Sequence, residues 1–115
     1  MITKKPFTIH EEIVQPEWID YNGHMNVAYY VLAFDHATDR LLNFLDLGTA
    51  YTERETKSIF QVECHIKYIQ EVKEGDALTF TIQLLDYDTK RIHLFSSMYH
   101  RDNGFLSATA EWLGI

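Results

Sequence analysis

The chain carries one cysteine, Cys64, in 115 residues. A lone thiol excludes an internal disulfide and fits a reducing compartment, so a cytoplasmic protein is expected. No apolar run comes near the roughly 18 residues that a membrane-spanning helix needs. The opening Met-Ile-Thr-Lys-Lys-Pro has no apolar stretch behind its lysines, and so lacks the pattern of a secretory leader. Positive charge is scarce too: 10 Lys and Arg stand against 17 Asp and Glu, a net charge of −7. That balance argues against nucleic acid or an anionic membrane as the main partner. Linkers, repeats and low-complexity stretches are also missing, which leaves one small domain over residues 1–115.

What the chain does have is a dense polar segment, Asp20-Tyr21-Asn22-Gly23-His24-Met25-Asn26, directly before an apolar helical pattern. A helix start offers unpaired backbone N–H groups and the positive end of the helix dipole. It can therefore hold negative charge that develops during a reaction. Acid and amide oxygens, a histidine and a permissive glycine at such a place mark a candidate reaction centre.

Around it, Phe7 to Val14 reads as a first strand with Phe7, Ile9 and Ile13 on one face. A polar loop follows from Pro16 to Asn26, then a long helix from about Val27 to Asp46, with Gly48 as its stop. Val27, Tyr30, Val31, Phe34, Leu41 and Leu45 form its stripe, and Leu32, Ala33 and Leu42 widen it. Four alternating segments come next: Phe60 to Tyr68, Leu78 to Leu84, Ile92 to Tyr99, and a last one from Phe105. Gly75-Asp76 and Asp102-Asn103-Gly104 are turn signals between them. Short turns at regular spacing imply an antiparallel meander wrapped against one helix, an α+β domain. The last strand runs to the apolar Ile115, which reads as a strand cut short. Apolar residues on both faces of the later strands exceed what one helix covers, so a dimer paired sheet to sheet or edge to edge is expected.

Asp20-x-x-Gly23-His24-Met25-Asn26, then Tyr30 and Asp35, resembles the hotdog-fold acyl-CoA thioesterases of the 4-hydroxybenzoyl-CoA thioesterase type. His65-Ile66-Lys67-Tyr68 and Glu74-Gly75-Asp76 look like that family's second strand and following turn, so the likeness covers essentially the whole chain. The run from Pro16 to Asn26 is similar to a narrower group linked to carnitine breakdown and thought to hydrolyse betainyl-CoA. The resemblance implies a hotdog fold, with a long central helix wrapped by a five-stranded antiparallel sheet, in a homodimer or homotetramer. It also implies hydrolysis of a small acyl-CoA, with coenzyme A as part of the substrate and no separate cofactor. Asp20 matches the family's catalytic aspartate, acting as general base on water or as the nucleophile. His24 and Asn26 join it as catalytic residues, with backbone N–H groups near Asn26 to Tyr29 as an oxyanion hole. Asn22, Gly23, Tyr30, Asp35, Trp18 and Tyr21 are the expected substrate contacts. A trimethylammonium group would be held by aromatic faces, at ~0.5–2 kcal/mol each. Trp18, Tyr21, Tyr29, Phe60 and Trp112 are candidates, with Asp35 or Glu63 supplying opposite charge. Lys67, Lys90 and Arg91 are candidates for the CoA phosphates.

Plainer readings stand beside these. Asp20, Asn22 or Asn26 can each serve as a helix N-cap, worth ~1 kcal/mol. His24 can be a loop histidine bonded to a carbonyl, and Asp35 can pair with Arg40. Tyr29 and Tyr30 suit a core or interface, and Cys64 alternates with Val62 and Ile66 as a small core residue. His65, His93 and His100 lack the ligand spacing of a zinc site, so no metal is expected. Two other functions share the fold. An enoyl-CoA hydratase or dehydratase is loosely echoed by Asp20-x-Asn22-x-His24, one residue short and without the proline of that motif. A non-catalytic acyl-CoA-binding module is the other.

Overall fold

The structure is a computed structural model that describes residues 7–45 and 59–115. Strands β1 (Phe7–Ile13), β2 (Gln61–Tyr68), β3 (Ala77–Tyr87), β4 (Ile92–His100) and β5 (Leu106–Gly114) form one antiparallel sheet. The helix α1 (Val27–Phe44) lies against one of its faces. Together they make the hotdog fold.

Strand order is β1-β3-β4-β5-β2. Only β3, β4 and β5 form a meander, which corrects the expectation of four consecutive neighbours. The chain after β2 crosses the sheet end, where Ile69 and Gln70 both donate their N–H to the carbonyl of Ser107. This puts β2 beyond β5, in register from Gln61 opposite Gly114 to Tyr68 opposite Ala108. Alternation along a strand reports its faces and not its neighbour, so the pattern could not reveal this crossing.

The helix buries Tyr30, Ala33, Phe34, Ala37, Thr38, Leu41 and Leu42. Phe34 meets Phe80 of β3 edge-on at 5.6 Å, the preferred arrangement for two rings. Leu78, Ile82, Leu94, Met98, Ala108 and Ala110 complete that core. The stripe is therefore rotated from the expected one: Val27, Val31 and Leu32 are exposed, whereas Ala37 and Thr38 face the sheet. Small residues carried the close approach, and a search for large apolar side chains passed over them. Thr38 satisfies its buried hydroxyl by donating to the carbonyl of Phe34 at 3.0 Å. Leu45 caps the helix, and the expected stop at Asp46 to Gly48 lies outside the described residues.

Two further readings are corrected. A bulge between Thr8 and His10 inserts one residue into β1. Beyond it His10 and Glu12 turn toward the helix, and Ile13 turns out, 45% exposed. Cys64 is likewise exposed. It lies on β2, which among the described residues pairs with β5 alone at the edge of the sheet.

Candidate active site

The polar segment ahead of α1 closes into a tight loop. Ile19 and Met25 pair as an antiparallel bridge. Between them the Asp20 N–H donates to the His24 carbonyl at 2.9 Å, and the Gly23 N–H donates to the Asp20 carbonyl at 3.0 Å. The turn needs a left-handed residue, which Gly23 supplies at φ +79° at no steric cost. Trp18 and Met25 are buried beneath the loop, and they anchor it to the core.

Asp20 is half-buried. Its Oδ1 accepts the N–H of Asn22 at 2.9 Å and that of His24 at 3.4 Å. Among the described residues Oδ2 accepts no hydrogen bond. One carboxylate oxygen thus fixes the orientation of the group while the other stays available for chemistry.

Of the three cap candidates, Asn26 takes the position. Its side-chain oxygen accepts the Ala28 N–H at 2.9 Å, and its carbonyl accepts the Tyr29 N–H at 3.0 Å. The N–H of Asn26 itself donates to the Trp18 carbonyl at 2.8 Å. The expected oxyanion hole over Asn26 to Tyr29 therefore narrows to the N–H of Val27, which has no acceptor among the described residues.

His24 Nε2 lies 2.7 Å from Glu71 Oε2, a partner on the β2–β3 connection that the sequence did not suggest. Glu71 also bears on Tyr30. Burial pushes the Tyr30 phenol above its ordinary value, the Glu71 charge adds to the rise, and the Ser107 hydroxyl opposes it. The Tyr30 ring meets Tyr68 edge-on at 5.0 Å. Glu71 thus joins His24 to the Tyr30–Tyr68 pair, bringing the loop and the start of α1 together with the end of β2 and the connection after it.

The expected aromatic set does not converge in the single chain. Trp18 is buried and stacked on Tyr29 at 5.8 Å, Trp112 lies in the core, and Tyr21 is 96% exposed. Phe60 and Glu63 are exposed near and on β2. Asn22, Gly23 and His24 line the open side of the loop. Asp35 is exposed and makes no ion pair with Arg40; burial first, and then the Asp35 charge, raise the carboxyl of Asp39 one turn on. Arg91 is committed to Asp88 in the β3–β4 turn at 2.7 Å, while Lys67 and Lys90 are exposed. His93 pairs with Glu111 at 2.6 Å, and buried His100 accepts the Asn103 N–H at 3.1 Å.

The thioesterase-like superfamily model matches residues 14–114, which includes the whole loop and all of α1. A betainyl-CoA thioesterase of Pseudomonas aeruginosa is 39% identical over 104 residues, 90% of this chain. The chain spans 65% of that relative's length. An L-carnitine dehydrogenase/betainyl-CoA thioesterase of Rhizobium meliloti is 40% identical over 106 residues, 92% of this chain and 21% of its own. Among solved structures, a Staphylococcus aureus protein in complex with CoA superposes with a TM-score of 0.89 at 35% identity. That superposition covers 100% of this chain and 71% of the other.

Proposed function

This chain belongs to the thioesterase-like superfamily, and on that premise we propose that it hydrolyses a small acyl-CoA, betainyl-CoA first among the candidates, to the free acid and CoA. The observation that carries the reading is the Asp20 carboxylate, held through Oδ1 with Oδ2 unengaged among the described residues, in the tight loop just ahead of the Asn26-capped helix. Oδ2 delivers the attacking oxygen to the thioester carbonyl carbon, from a water that it deprotonates or from itself. Where Oδ2 activates water, the new C–O bond is to the water oxygen, the C–S bond breaks, and the water's proton passes through the carboxyl to the CoA sulfur. Where Oδ2 itself attacks, the C–S bond breaks to release the CoA thiolate and leave a mixed anhydride, which water then hydrolyses, restoring the carboxylate and supplying the proton. Charge that develops on the carbonyl oxygen is met by the Val27 N–H and the helix dipole. CoA is the substrate's own carrier, and hydrolysis calls on no further cofactor.

His24 and Asn26 position this centre, with Asn22 and Gly23 at its open side. For a trimethylammonium acyl group, the acidic and aromatic corner formed by Glu71, Tyr68 and Tyr30 replaces the dispersed aromatics as the proposed contact. Neither the phenol face of Tyr68 nor the carboxylate of Glu71 demands a hydrogen-bond donor, and a quaternary cation has none to offer. The site is shared between copies: β2 has an unpaired edge, and Val27, Val31, Phe60 and Val62 leave apolar surface around it. We therefore read the protein as a cytoplasmic homo-oligomer, acting on acyl-CoA and on neither nucleic acid nor membrane.

The test is thiol release from betainyl-CoA against 3,3-dimethylbutyryl-CoA, its neutral isostere. The expected kcat/KM ratio is roughly tenfold or more in favour of the cation. Equal values remove the cation site. Absence of thiol release from both, with binding intact, removes the hydrolase itself. A single turnover in 18O-water then separates the two routes, since a carboxylate nucleophile delivers its own unlabelled oxygen first.

A further inference from the structure

We infer that His10, Glu12 and His36 form a binding site for a zinc-class divalent cation between β1 and α1. His10 and Glu12 are two apart on the strand and so share its helix-facing side. His36 comes down from the helix, and His36 Nδ1 lies 2.8 Å from Glu12 Oε2 while His10 Nε2 lies 2.9 Å from Glu12 Oε1. One nitrogen from each imidazole and a carboxylate oxygen all fall within 4.8 Å of one another. In a tetrahedral zinc site, ligand atoms at about 2.1 Å from the metal stand about 3.4 Å apart. The two short edges must open by about half an ångström, and the third, within 4.8 Å, closes by no more than about 1.4 Å, which is rotamer-scale adjustment.

The surroundings favour a fixed site over a chance meeting of surface groups. Side chains of His10 and Glu12 are 10% and 17% exposed. The His10 ring packs on Phe80 at 5.5 Å, and Phe80 is held in turn by Phe34. His36 is 39% exposed, which leaves an entry path and a fourth position for water. Two imidazoles and one carboxylate select zinc-like ions over magnesium or calcium, which prefer an all-oxygen set.

On ligation each imidazole carries its N–H on the ring nitrogen opposite the metal, Nδ1 of His10 and Nε2 of His36. Nε2 of His36 reaches water. Nδ1 of His10 is buried without a partner among the described residues, so its N–H goes unmet. An unsupported ligand costs 10–100-fold in affinity, so binding at roughly tens to hundreds of nanomolar is expected in place of nanomolar. His36 lies ten residues beyond Asn26, about 15 Å along the helix, so the ion clamps strand to helix and takes no part at Asp20.

Sequence spacing hid this cluster, because His36 lies 24 residues beyond Glu12 and only the fold joins them. The experiment titrates the full chain with Zn2+ against a chromogenic chelator and follows Tm in parallel. One equivalent is expected to bind, raising Tm by roughly 5 °C at tenfold excess over Kd. Co2+ is expected to give visible d–d absorption, and Mg2+ neither effect. Glu12→Gln and His36→Ala should each weaken Zn2+ binding at least tenfold, while His93→Ala, at the separate His93–Glu111 pair, should not. Circular dichroism and metal-free Tm show whether each variant is folded. No binding at 100-fold molar excess, equal binding by folded Glu12→Gln or His36→Ala protein, or equal competition by Mg2+ overturns the site.

Discussion

Replacing Asp20 by Asn removes the charge and leaves Oδ1 able to accept from Asn22 and His24, so the loop should hold. Asp20→Asn is expected to lower kcat by about 10²–10⁴ with Tm nearly unchanged. An active Asp20→Asn protein would remove Asp20 from the chemistry. Tyr30 gives a second test at this scale. Its folded value is raised above 10, so its contribution is complete below pH 10 and declines as pH rises beyond that point. Wild-type protein should lose stability in that alkaline window more steeply than Tyr30→Phe, measured by denaturant midpoints across pH 9 to 11. Near pH 7 the same variant should be less stable by about 1 kcal/mol, since it gives up the Ser107 interaction. Equal alkaline slopes would show that the phenol is not the group responsible. The residue identities at this scale were legible in the sequence: Asp20 and its neighbours are contiguous. Glu71 was not, because its pairing with His24 depends on the β2–β3 crossing.

For the elements, the start of α1 is where the cap at Asn26 meets the proposed catalytic centre. Asn26 caps the helix through its oxygen, and Ser keeps that capability while Ala does not. Asn26→Ala should cost ~1 kcal/mol, and Asn26→Ser a few tenths, by thermal or urea denaturation. If both variants lose activity equally although Ser keeps the stability, Asn26 serves the substrate as well as the helix. If activity follows stability alone, it is a cap. Strand and helix positions were readable from periodicity, as the near match of α1 to its expected start shows. The burial phase was less readable: the β1 bulge and the Ala37–Thr38 face moved side chains to the opposite side from their apparent stripe. A one-residue insertion reverses every later side chain on a strand, and no composition records it.

As a whole molecule, the chain leaves β2 with an open edge and half-covered odd-numbered residues on β4. An unpaired edge beside apolar surface favours association with a second copy. Light scattering behind size exclusion should give at least twice the chain mass. Val62→Lys, on that edge, is expected to return the monomer and, on the proposal of a shared cleft, to abolish thiol release. A monomeric and fully active wild type would remove the shared site.

The local chemistry of this protein was written in consecutive residues: a loop closed by Gly23, a carboxylate at Asp20, a cap at Asn26 and a helix of fixed start. Each depends on interactions within a few positions, where chain connectivity leaves little freedom. The tertiary structure alone decided which distant groups meet. It sent β2 to the far edge, exposed Cys64, set Glu71 against His24 and Tyr30, and brought His36 down on Glu12. Those pairings follow from strand order and from which helix face packs inward. Both are set by burying the whole apolar surface at once, and no local segment carries that sum.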